Sequence, residues 1–404
     1  MKKTSIWIGI SGLLFLLVYI LAATKSLTYD EPYYLSNIEL IRQYGWGRDF
    51  IAQLKGPAGP LYAYLHAIIE PITGQIPVNV RLVNVILAAL IIYFLYKLIN
   101  HLNGKGYVAF LFMAIPMSYP TVGMALTEIP AMFAFSLSIF ILDGLYKKGS
   151  FSISDCILGL ISGGLFSLAI SGRQPYLLSL APFALIFFSK LPVNRKKLTA
   201  IFLASALAYP FYLFSIWGGL TPKTGGEIAN TGGFSLTNFM LSLGYASILM
   251  ALLAPDFFIR LSKRNLVLYS LFFALTLVVF KYTGSHFAPL HNQMQGLLSD
   301  RLFSLYQITC PSLLALIGIY FLHSCWSRML EKRENVVFIV CLLMLLAILF
   351  SCIKVTHQFS SRYVFQAAPL FLIVASFYIG DRLIHKLPWV IGLIIGIISI
   401  TAYY

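Results

Sequence analysis

Two adjacent carboxylates follow the first apolar segment of the chain. Asp30 and Glu31 lie in the aromatic-rich stretch Thr28–Tyr34, a few residues beyond that segment. A carboxylate at a membrane boundary can act as a general base toward a hydroxyl when burial and neighbouring charges adjust its pKa. An acid ahead of Pro32 is equally typical of the start of a helix, so capping is the alternative interpretation. The residue types leave both interpretations open.

A third acid, Glu128, opens a later apolar segment in the stretch Leu126–Pro130. An acid at the edge of the bilayer costs free energy unless it meets a partner or water, which makes Glu128 a candidate functional residue. Capping of a helix by Thr127 and Glu128 is the alternative interpretation.

Several basic residues are suited to binding phosphate oxygens. Arg173 lies in a short turn beside the amide of Gln174, and a guanidinium presents a planar fork of donors. Lys55 lies in a Gly/Pro-rich turn where backbone can approach an anion. The alternatives are lipid head-group contact for Arg173 and a plain connection between helices around Lys55. Arg362 and Arg301 precede or begin later apolar segments and are further candidates, with head-group anchoring as the alternative for Arg362.

Other side chains are suited to contacting a sugar. Trp217 offers an aromatic face, with a place in the interfacial aromatic belt as its alternative. His286 and His291 offer groups that hydrogen-bond to hydroxyls, and Gln174 and Tyr62 complete the predicted substrate-binding set. The two histidines do not have the spacing of an HExxH zinc site. We therefore predict no cofactor and leave a divalent metal open.

The elements that position these residues are predicted to be membrane helices. Of the 404 residues, 59% are hydrophobic and 11% are charged, which excludes an ordinary soluble surface. Apolar runs near the roughly 20 residues that cross a bilayer predict an all-α polytopic protein, a single domain over 1–404 with about thirteen spans. The run from Ser5 to Ala23 exceeds the about 7–15 residues of a signal-peptide core, so we expect a retained first span. The predicted spans are 5–24, 78–97, 106–120, 128–146, 155–171, 175–189, 198–216, 237–256, 265–281, 302–322, 335–353, 363–379 and 388–404.

The two predicted faces of the membrane differ in composition. Most of the 29 Lys and Arg residues fall in short connections on the side of the N-terminus, which predicts a multi-pass plasma-membrane protein with a cytoplasmic N-terminus. This topology, rather than nucleic acid binding, accounts for the excess of the 29 basic residues over the 14 Asp and Glu residues. The external face has longer connections where we expect the function, and the first of them contains stretches predicted as juxtamembrane helices. The external connections are 25–77, 217–236, 282–301 and 354–362, and the juxtamembrane stretches are 35–44 and 60–69.

Absent motifs narrow the function. No P-loop, G-x-S-x-G or dinucleotide fingerprint occurs in the sequence, which disfavours a nucleotide-driven pump and a serine hydrolase. A lipid-linked saccharide flippase or transporter is the main alternative to an enzyme. It would place ionisable residues at mid-depth in several spans, whereas here polar residues gather at one boundary. A membrane acyltransferase built on His286, His291 or His357 is a further alternative.

Short motifs run in a familiar order over most of the chain. They are Tyr29-Asp30-Glu31, Gly59-Pro60-Leu61-Tyr62, Arg81-Leu82-Val83-Asn84, Thr127-Glu128, Arg173-Gln174, Gly218-Gly219, Phe280-Lys281-Tyr282-Thr283 and Arg362-Tyr363. In these motifs the chain resembles the GT-C superfamily of polyprenyl-phosphate-sugar-dependent glycosyltransferases. It most resembles the dolichyl-phosphoglucose-dependent α-1,2-glucosyltransferases of N-glycan precursor assembly. It departs from them at Pro175-Tyr176, where that family is Asn-rich, and in Ala288–Gln293, so the donor sugar and acceptor do not carry over.

The resemblance implies an inverting transfer of a hexose-type sugar. The donor would be a polyprenyl phosphate, of undecaprenyl type because the short cytoplasmic loops look prokaryotic, and the acceptor a hydroxyl of a glycan, glycolipid or protein on the external face. Asp30 would be the general base, Glu31 its substitute or a positioning group, and Glu128 would hold the acceptor or support the base.

The resemblance also implies cations for the leaving lipid phosphate. The candidates, in falling order, are Arg173, Lys55, Arg362 and Arg301. Because a sugar must touch the groups that act on it, we predict that Asp30, Glu128 and Arg173 lie within about 20 Å of one another around one external cavity.

Overall fold

A computed structural model describes most of the chain. The described residues are 2–22, 26–28, 30–222, 233–260, 262–283, 291–355, 359–380 and 386–401, with side chains not described at 263–264, 283 and 291–293. Within these ranges all regular secondary structure is helical and no strand occurs, as the composition predicts.

The described elements follow one another with short connections. The α-helices are α1 Lys2–Ala22, α2 Glu31–Tyr44, α3 Arg48–Gln53, α4 Leu61–Thr73, α5 Pro77–His101, α6 Ser118–Gly123, α7 Glu128–Lys148, α8 Ile153–Gly172, α9 Ala184–Phe188, α10 Val193–Trp217, α11 Leu236–Leu253, α12 Lys263–Thr283, α13 His291–Leu297, α14 Asp300–Glu331, α15 Val336–Ser351, α16 Arg362–Phe365, α17 Ala368–Ala375 and α18 Lys386–Thr401. Four 3₁₀ helices lie between them, at Gly106–Ala114, Gln174–Phe183, Pro255–Phe257 and Cys352–Lys354.

Nine of the helices in the described ranges have the length and hydropathy of membrane spans. A helix satisfies its own backbone hydrogen bonds, which is what a segment inside hydrocarbon requires. The protein is therefore an all-α, multi-pass membrane protein. The nine are α1, α5, α7, α8, α10, α11, α12, α14 and α15.

The four remaining predicted spans are not single long helices. The segment 106–120 forms a 3₁₀ helix followed by the start of α6, and 175–189 forms a 3₁₀ helix followed by α9. The segment 363–379 forms the short helices α16 and α17. All three segments contain prolines, which lack the backbone donor that an α-helix uses, but Pro210 in α10 and Pro311 in α14 lie inside continuous helices, so proline alone does not account for the interruptions. The fourth, 388–404, corresponds to α18, a helix of 16 residues.

Helices α7, α8 and α10 form a close-packed unit that carries two of the functional candidates. The Ser138 hydroxyl donates to the carbonyl of Ser162 at 2.7 Å, and the Ser162 hydroxyl donates back to the carbonyl of Ser138 at 2.8 Å. At Gly163 a Cβ atom would lie 2.4 Å from the carbonyl oxygen of Phe202, so only glycine permits the approach of α8 to α10. This packing fixes the start of α7, at Glu128, relative to the end of α8, at Gly172.

The juxtamembrane helices predicted at 35–44 and 60–69 are present as α2 and α4, and the unpredicted helix α3 lies between them. They dock through two small apolar clusters, one joining α2 and α4 to residues 124–126 and the other joining α3 to the end of α10. The turn ahead of α4 is pinned against α8, because a Cβ atom at Gly59 would lie 1.8 Å from the carbonyl oxygen of Ser171. The loop therefore has a fixed position over the ends of the spans.

Candidate active site

Four ionisable side chains from distant parts of the sequence meet in one group, here called the charged cluster: Asp30, Glu128, Arg173 and Arg362. Arg362 Nη1 lies 3.0 Å from Asp30 Oδ2, and Arg173 Nη2 lies 2.6 Å from Glu128 Oε1. Arg362 Nε lies 3.9 Å from the same Glu128 oxygen and links the two pairs. These contacts join Asp30, Glu128 and Arg173 well within the predicted 20 Å.

Helix ends bring the charged cluster together. Asp30 precedes α2, Glu128 is the first residue of α7, Arg173 follows the last residue of α8, and Arg362 is the first residue of α16. The side chains of Asp30 and Thr127 make no capping hydrogen bond, although each occupies the N-cap position of its helix. Helix capping by these side chains is therefore absent at α2 and at α7. The carboxylates of Asp30 and Glu128 contact arginines instead.

Burial separates Asp30 from the rest of the charged cluster. The Glu128 side chain is fully buried, and those of Arg173 and Arg362 are 9% and 11% exposed, whereas that of Asp30 is 37% exposed. Buried charges persist only when paired, and the two acids and two arginines neutralise one another. Within the described residues, Glu128 Oε2 and Arg173 Nε have no hydrogen-bond partner. The cluster thus combines one accessible carboxylate with buried, fixed cations and has polar atoms left for a ligand.

Glu31 lies beside the charged cluster in sequence but is enclosed in a different network. Arg81 donates to it twice, from Nε to Oε1 at 2.8 Å and from Nη2 to Oε2 at 2.6 Å, with both side chains fully buried. The backbone N–H groups of Thr28 and Ala125 donate to the same carboxylate, each at 2.7 Å. These four strong bonds occupy both Glu31 oxygens, a geometry that suits a positioning group.

Helix α5 holds the two segments that carry the acids. Through Arg81 it binds Glu31, adjacent to Asp30, and also the carbonyl of Ser26 at 2.8 Å. One turn later the Asn84 amide donates to the carbonyl of Met124 at 2.8 Å, in the turn that leads to Glu128. The motif residues at 81 and 84, which carried no assigned role in the sequence, therefore set the separation of Asp30 and Glu128.

The first external loop and the turn after Arg173 are tied to the charged cluster by side-chain hydrogen bonds. Gln174 Nε2 donates to the carbonyl of Pro57 at 2.8 Å, and Tyr176 Oη donates to the carbonyl of Gln366 at 2.6 Å, near Arg362. Gln174, predicted to bind substrate, supports the loop in this way. Lys55 has an exposed side chain on that same loop, and its backbone is held by the Asn37 amide.

Tyr34 is a site residue that sequence reasoning missed. Its phenol is buried and lies in the electrostatic field of all four members of the charged cluster. Burial, helped by the negative charge of Glu128, raises the pKa of Tyr34 to about 12, so the phenol stays a neutral hydrogen-bond donor at physiological pH. The sequence does carry one indication of this role. Tyr34 is four residues after Asp30, and residues four apart lie on the same side of a helix that begins at Asp30.

Tyr34 lies against the aromatic pair of Tyr62 and His66, with tilted rings. The Tyr34 and Tyr62 rings lie 5.8 Å apart between centroids, and those of Tyr62 and His66 lie 4.3 Å apart. The Tyr62 hydroxyl and both ring nitrogens of His66 are buried without a hydrogen-bond partner among the described residues. Tyr62, predicted to bind substrate, is thus next to the charged cluster through Tyr34.

Two other predicted site residues, Trp217 and Arg301, are not members of the charged cluster. Trp217 is 3% exposed and donates from its indole to the carbonyl of Ile51 at 2.9 Å, so it anchors α3 and its ring face is not available to a sugar. Arg301 is exposed in the first turn of α14 with no described polar contact to the charged cluster. His286 and His357 lie outside the described residues, and the side chain of His291 is not described. Within the described ranges no three His, Cys, Asp or Glu residues are grouped as metal ligands.

Comparisons with known proteins give distant likenesses. No family model matches the chain, and no curated protein matches its sequence. Several solved structures are similar, and three of them are described here. A protein O-mannosyltransferase Pmt1-Pmt2 complex of S. cerevisiae bound to the sugar donor has 18% identity, covering 59% of this chain and 36% of that chain, with a TM-score of 0.38.

ArnT from Cupriavidus metallidurans bound to undecaprenyl phosphate has 12% identity, covering 96% of this chain and 76% of that one, with a TM-score of 0.42. An Archaeoglobus fulgidus oligosaccharyltransferase tethered with an acceptor peptide has 15% identity, 96% and 55% coverage, and a TM-score of 0.34. This chain spans about a third of the mannosyltransferase chain. With TM-scores below 0.5, none of these likenesses assigns an activity to it.

Proposed function

We propose that the protein is an integral-membrane glycosyltransferase that moves a hexose-type sugar from a polyprenyl phosphate to an acceptor hydroxyl, with inversion. The observation that carries the proposal is the placement of one accessible carboxylate, Asp30, 3.0 Å from a buried arginine that also contacts the Glu128–Arg173 pair. Such an arrangement can remove a proton from a nucleophile and stabilise an anionic leaving group within a few ångströms.

Asp30 is the proposed general base. Its described polar contact, with Arg362, uses Oδ2, so Oδ1 can accept a hydrogen bond from the acceptor hydroxyl. That hydroxyl oxygen attacks the anomeric carbon and forms the new glycosidic bond while its proton passes to Asp30. The bond from the anomeric carbon to the phosphate oxygen breaks, and the lipid phosphate leaves with the electron pair. Attack opposite the leaving group inverts the anomeric centre.

The arginines of the charged cluster are the proposed phosphate site. Glu128 holds Arg173 at 2.6 Å and Arg362 at 3.9 Å, so both guanidinium groups are oriented before substrate binds. Preoriented, water-shielded cations stabilise charge that develops on a leaving group far better than mobile ones do. The neutral phenol of Tyr34 adds a donor in the same field, and exposed Lys55 is placed to attract the donor's negative charge.

The position of the buried charges favours an enzyme over a flippase or transporter. Glu128, Arg81 and Arg173 all lie at or within about two turns of a helix end, among the described residues. A transporter needs ionisable groups at the mid-depth of several spans. We propose the external face of the plasma membrane for the site and a cytoplasmic N-terminus, on the basis of the Lys/Arg distribution.

A donor panel tests the class of enzyme. The full-length protein in proteoliposomes is incubated with labelled undecaprenyl and dolichyl phosphate hexoses, a short glycan or glycolipid acceptor mixture, and a parallel assay of transbilayer movement of the same lipids. We expect release of polyprenyl phosphate with transfer of label. Lipid movement without any transfer identifies a flippase, and no transfer from any donor contradicts the proposal.

A matched pair of arginine variants tests the phosphate site. Arg362→Gln removes a cation of the charged cluster, whereas Arg48→Gln removes an exposed cation of the same external face at the start of α3. We expect the first to lower the transfer rate by about 100-fold, the scale of losing one preoriented charge donor, and the second to leave it unchanged. Equal effects of the two substitutions rule out the phosphate assignment.

A further inference from the structure

A second polar site lies at the far ends of α7, which begins at the charged cluster, and α5, which begins beside it. Helix α7 starts at Glu128 and α5 carries Arg81 in its second turn, and the two run for 21 and 25 residues. At 1.5 Å per residue their other ends lie roughly 30 Å away, the thickness of a bilayer core. His101 ends α5, and Asp143 and Lys147 lie in the final turns of α7, so this site is on the opposite side of the membrane from the charged cluster.

The site is a cavity of about 250 Å³ between α5, α7, α10 and α15. Its charged or basic lining residues are His101, Asp143, Lys147 and Arg195, at the ends of their helices. Apolar residues one or two turns deeper form its floor, among them Leu98, Ile139, Leu142 and Met344. A cavity with a charged mouth and an apolar floor is matched to an amphiphile.

The charged mouth is organised by hydrogen bonds. Arg195 Nε donates to the carbonyl of Tyr146 at 2.9 Å, which orients the guanidinium. This bond does not use the two terminal amino groups, which can donate to a ligand. Lys147 Nζ donates to the carbonyl of His101, and Asp143 Oδ2 lies 3.2 Å from His101 Nδ1. Two cations face one acid, so the mouth carries a net positive charge even with a neutral imidazole.

The N-termini of α10 and α15 meet the C-termini of α5 and α7 at the cavity, so the helix partial charges largely offset one another and the two cations set the sign of the potential. Arg195 lies in the first turn of α10, and Val336 and Val337, in the first turn of α15, line the same cavity. The fork of Arg195 is suited to bidentate contact with phosphate oxygens.

We propose that this cavity binds the phosphate head of an anionic membrane lipid, with the first part of its chain against the apolar lining. The remainder of the lipid stays in the bilayer, because 250 Å³ is below the about 300 Å³ of sites that enclose a whole small molecule. A soluble phosphate would leave the apolar floor unused. The lipid braces the ends of α5, α7, α10 and α15, and its binding does not depend on the proposed glycosyl transfer.

Binding of phosphatidylglycerol to the purified, delipidated full-length protein tests the proposal. Native mass spectrometry counts retained lipids across a concentration series, with phosphatidylcholine as the neutral probe. We expect one phosphatidylglycerol to bind more tightly than the rest and more tightly than phosphatidylcholine. Arg195→Gln should weaken that site about fivefold, the effect of one cation near a lipid surface.

Two further variants separate the cavity from general surface charge. Lys197→Gln removes an exposed cation two residues from Arg195, on the other side of α10, and should leave the tight site unchanged. Val337→Phe keeps every charge but fills the cavity, and should weaken the site as much as Arg195→Gln. Equal weakening by Lys197→Gln, full binding by Val337→Phe, or displacement of the lipid by equimolar glycerol phosphate would each overturn the proposal.

Discussion

Replacing Arg81 by Met removes one partner of a fully buried ion pair. The Glu31 carboxylate would keep the two backbone donors from Thr28 and Ala125 but lose both bonds from the guanidinium, at 2.8 and 2.6 Å. Stranding a buried charge in this way costs about 3–5 kcal/mol. We therefore expect Arg81→Met to lower the unfolding free energy by about that amount and to loosen the segment that carries Asp30.

Denaturant titration in detergent micelles, followed by tryptophan fluorescence and circular dichroism, measures this cost. The control is Arg42→Met, which breaks an exposed pair with Glu39 and Glu70 and should change stability little, because solvent screens such pairs. The double variant Arg81→Met/Glu31→Gln removes both buried charges and should be more stable than the sum of the single effects by at least about 1 kcal/mol. The proposed stabilising role of the buried Arg81–Glu31 pair would be refuted if Arg81→Met changed stability as little as Arg42→Met. Strict additivity of the two substitutions in the double variant would refute it as well.

The remaining predictions concern the loop and its neighbours. Gly59→Ala should destabilise the protein by about 1–3 kcal/mol and expose the first external loop to protease, because its Cβ would meet the Ser171 carbonyl at 1.8 Å, whereas Gly47→Ala, with open space around it, should not. Burial lowers the pKa of His66 to about 4, so stability should be constant above about pH 6.5 and fall by about 3 kcal/mol as pH drops from 6.5 to 4. His66→Phe should remove that slope, and an unchanged slope would contradict the assignment. Trp217→Phe should cost about 1 kcal/mol through the lost bond to Ile51, with transfer activity retained, and loss of activity at full stability would restore Trp217 as a sugar contact.

The fold was largely readable from the sequence because hydrocarbon imposes a strong constraint. Apolar runs located the nine long helices, and the amphipathic stretches 35–44 and 60–69 located α2 and α4. Whether each apolar run forms one continuous helix was harder to predict. The apolar runs at 106–120 and 175–189 have the composition of spans but form 3₁₀ and short helical pieces. Their prolines do not predict this, because α10 and α14 continue through Pro210 and Pro311.

The candidate site was readable in part. Asp30, Glu128 and Arg173 are charged residues at the ends of apolar runs. Because placing a charge there costs free energy, they were recognisable as functional candidates. The structure places them together with Arg362. The partnership of Glu31 with Arg81 joins residues 50 positions apart and could not be read from spacing. Trp217 illustrates the reverse case, since an aromatic residue at a span end looks the same in sequence whether its face is open or packed under a loop.

The central claim is that Asp30 is the base of a sugar transfer. Its most direct test is the single-turnover rate of Asp30→Asn beside Asp49→Asn, an exposed carboxylate in the same external loop, in proteoliposomes with the donor that the wild type accepts. Loss of a general base predicts a rate lowered by about 10²–10⁴-fold for Asp30→Asn, with donor binding retained and Asp49→Asn at the wild-type rate. Transfer by Asp30→Asn at the wild-type rate would contradict the account.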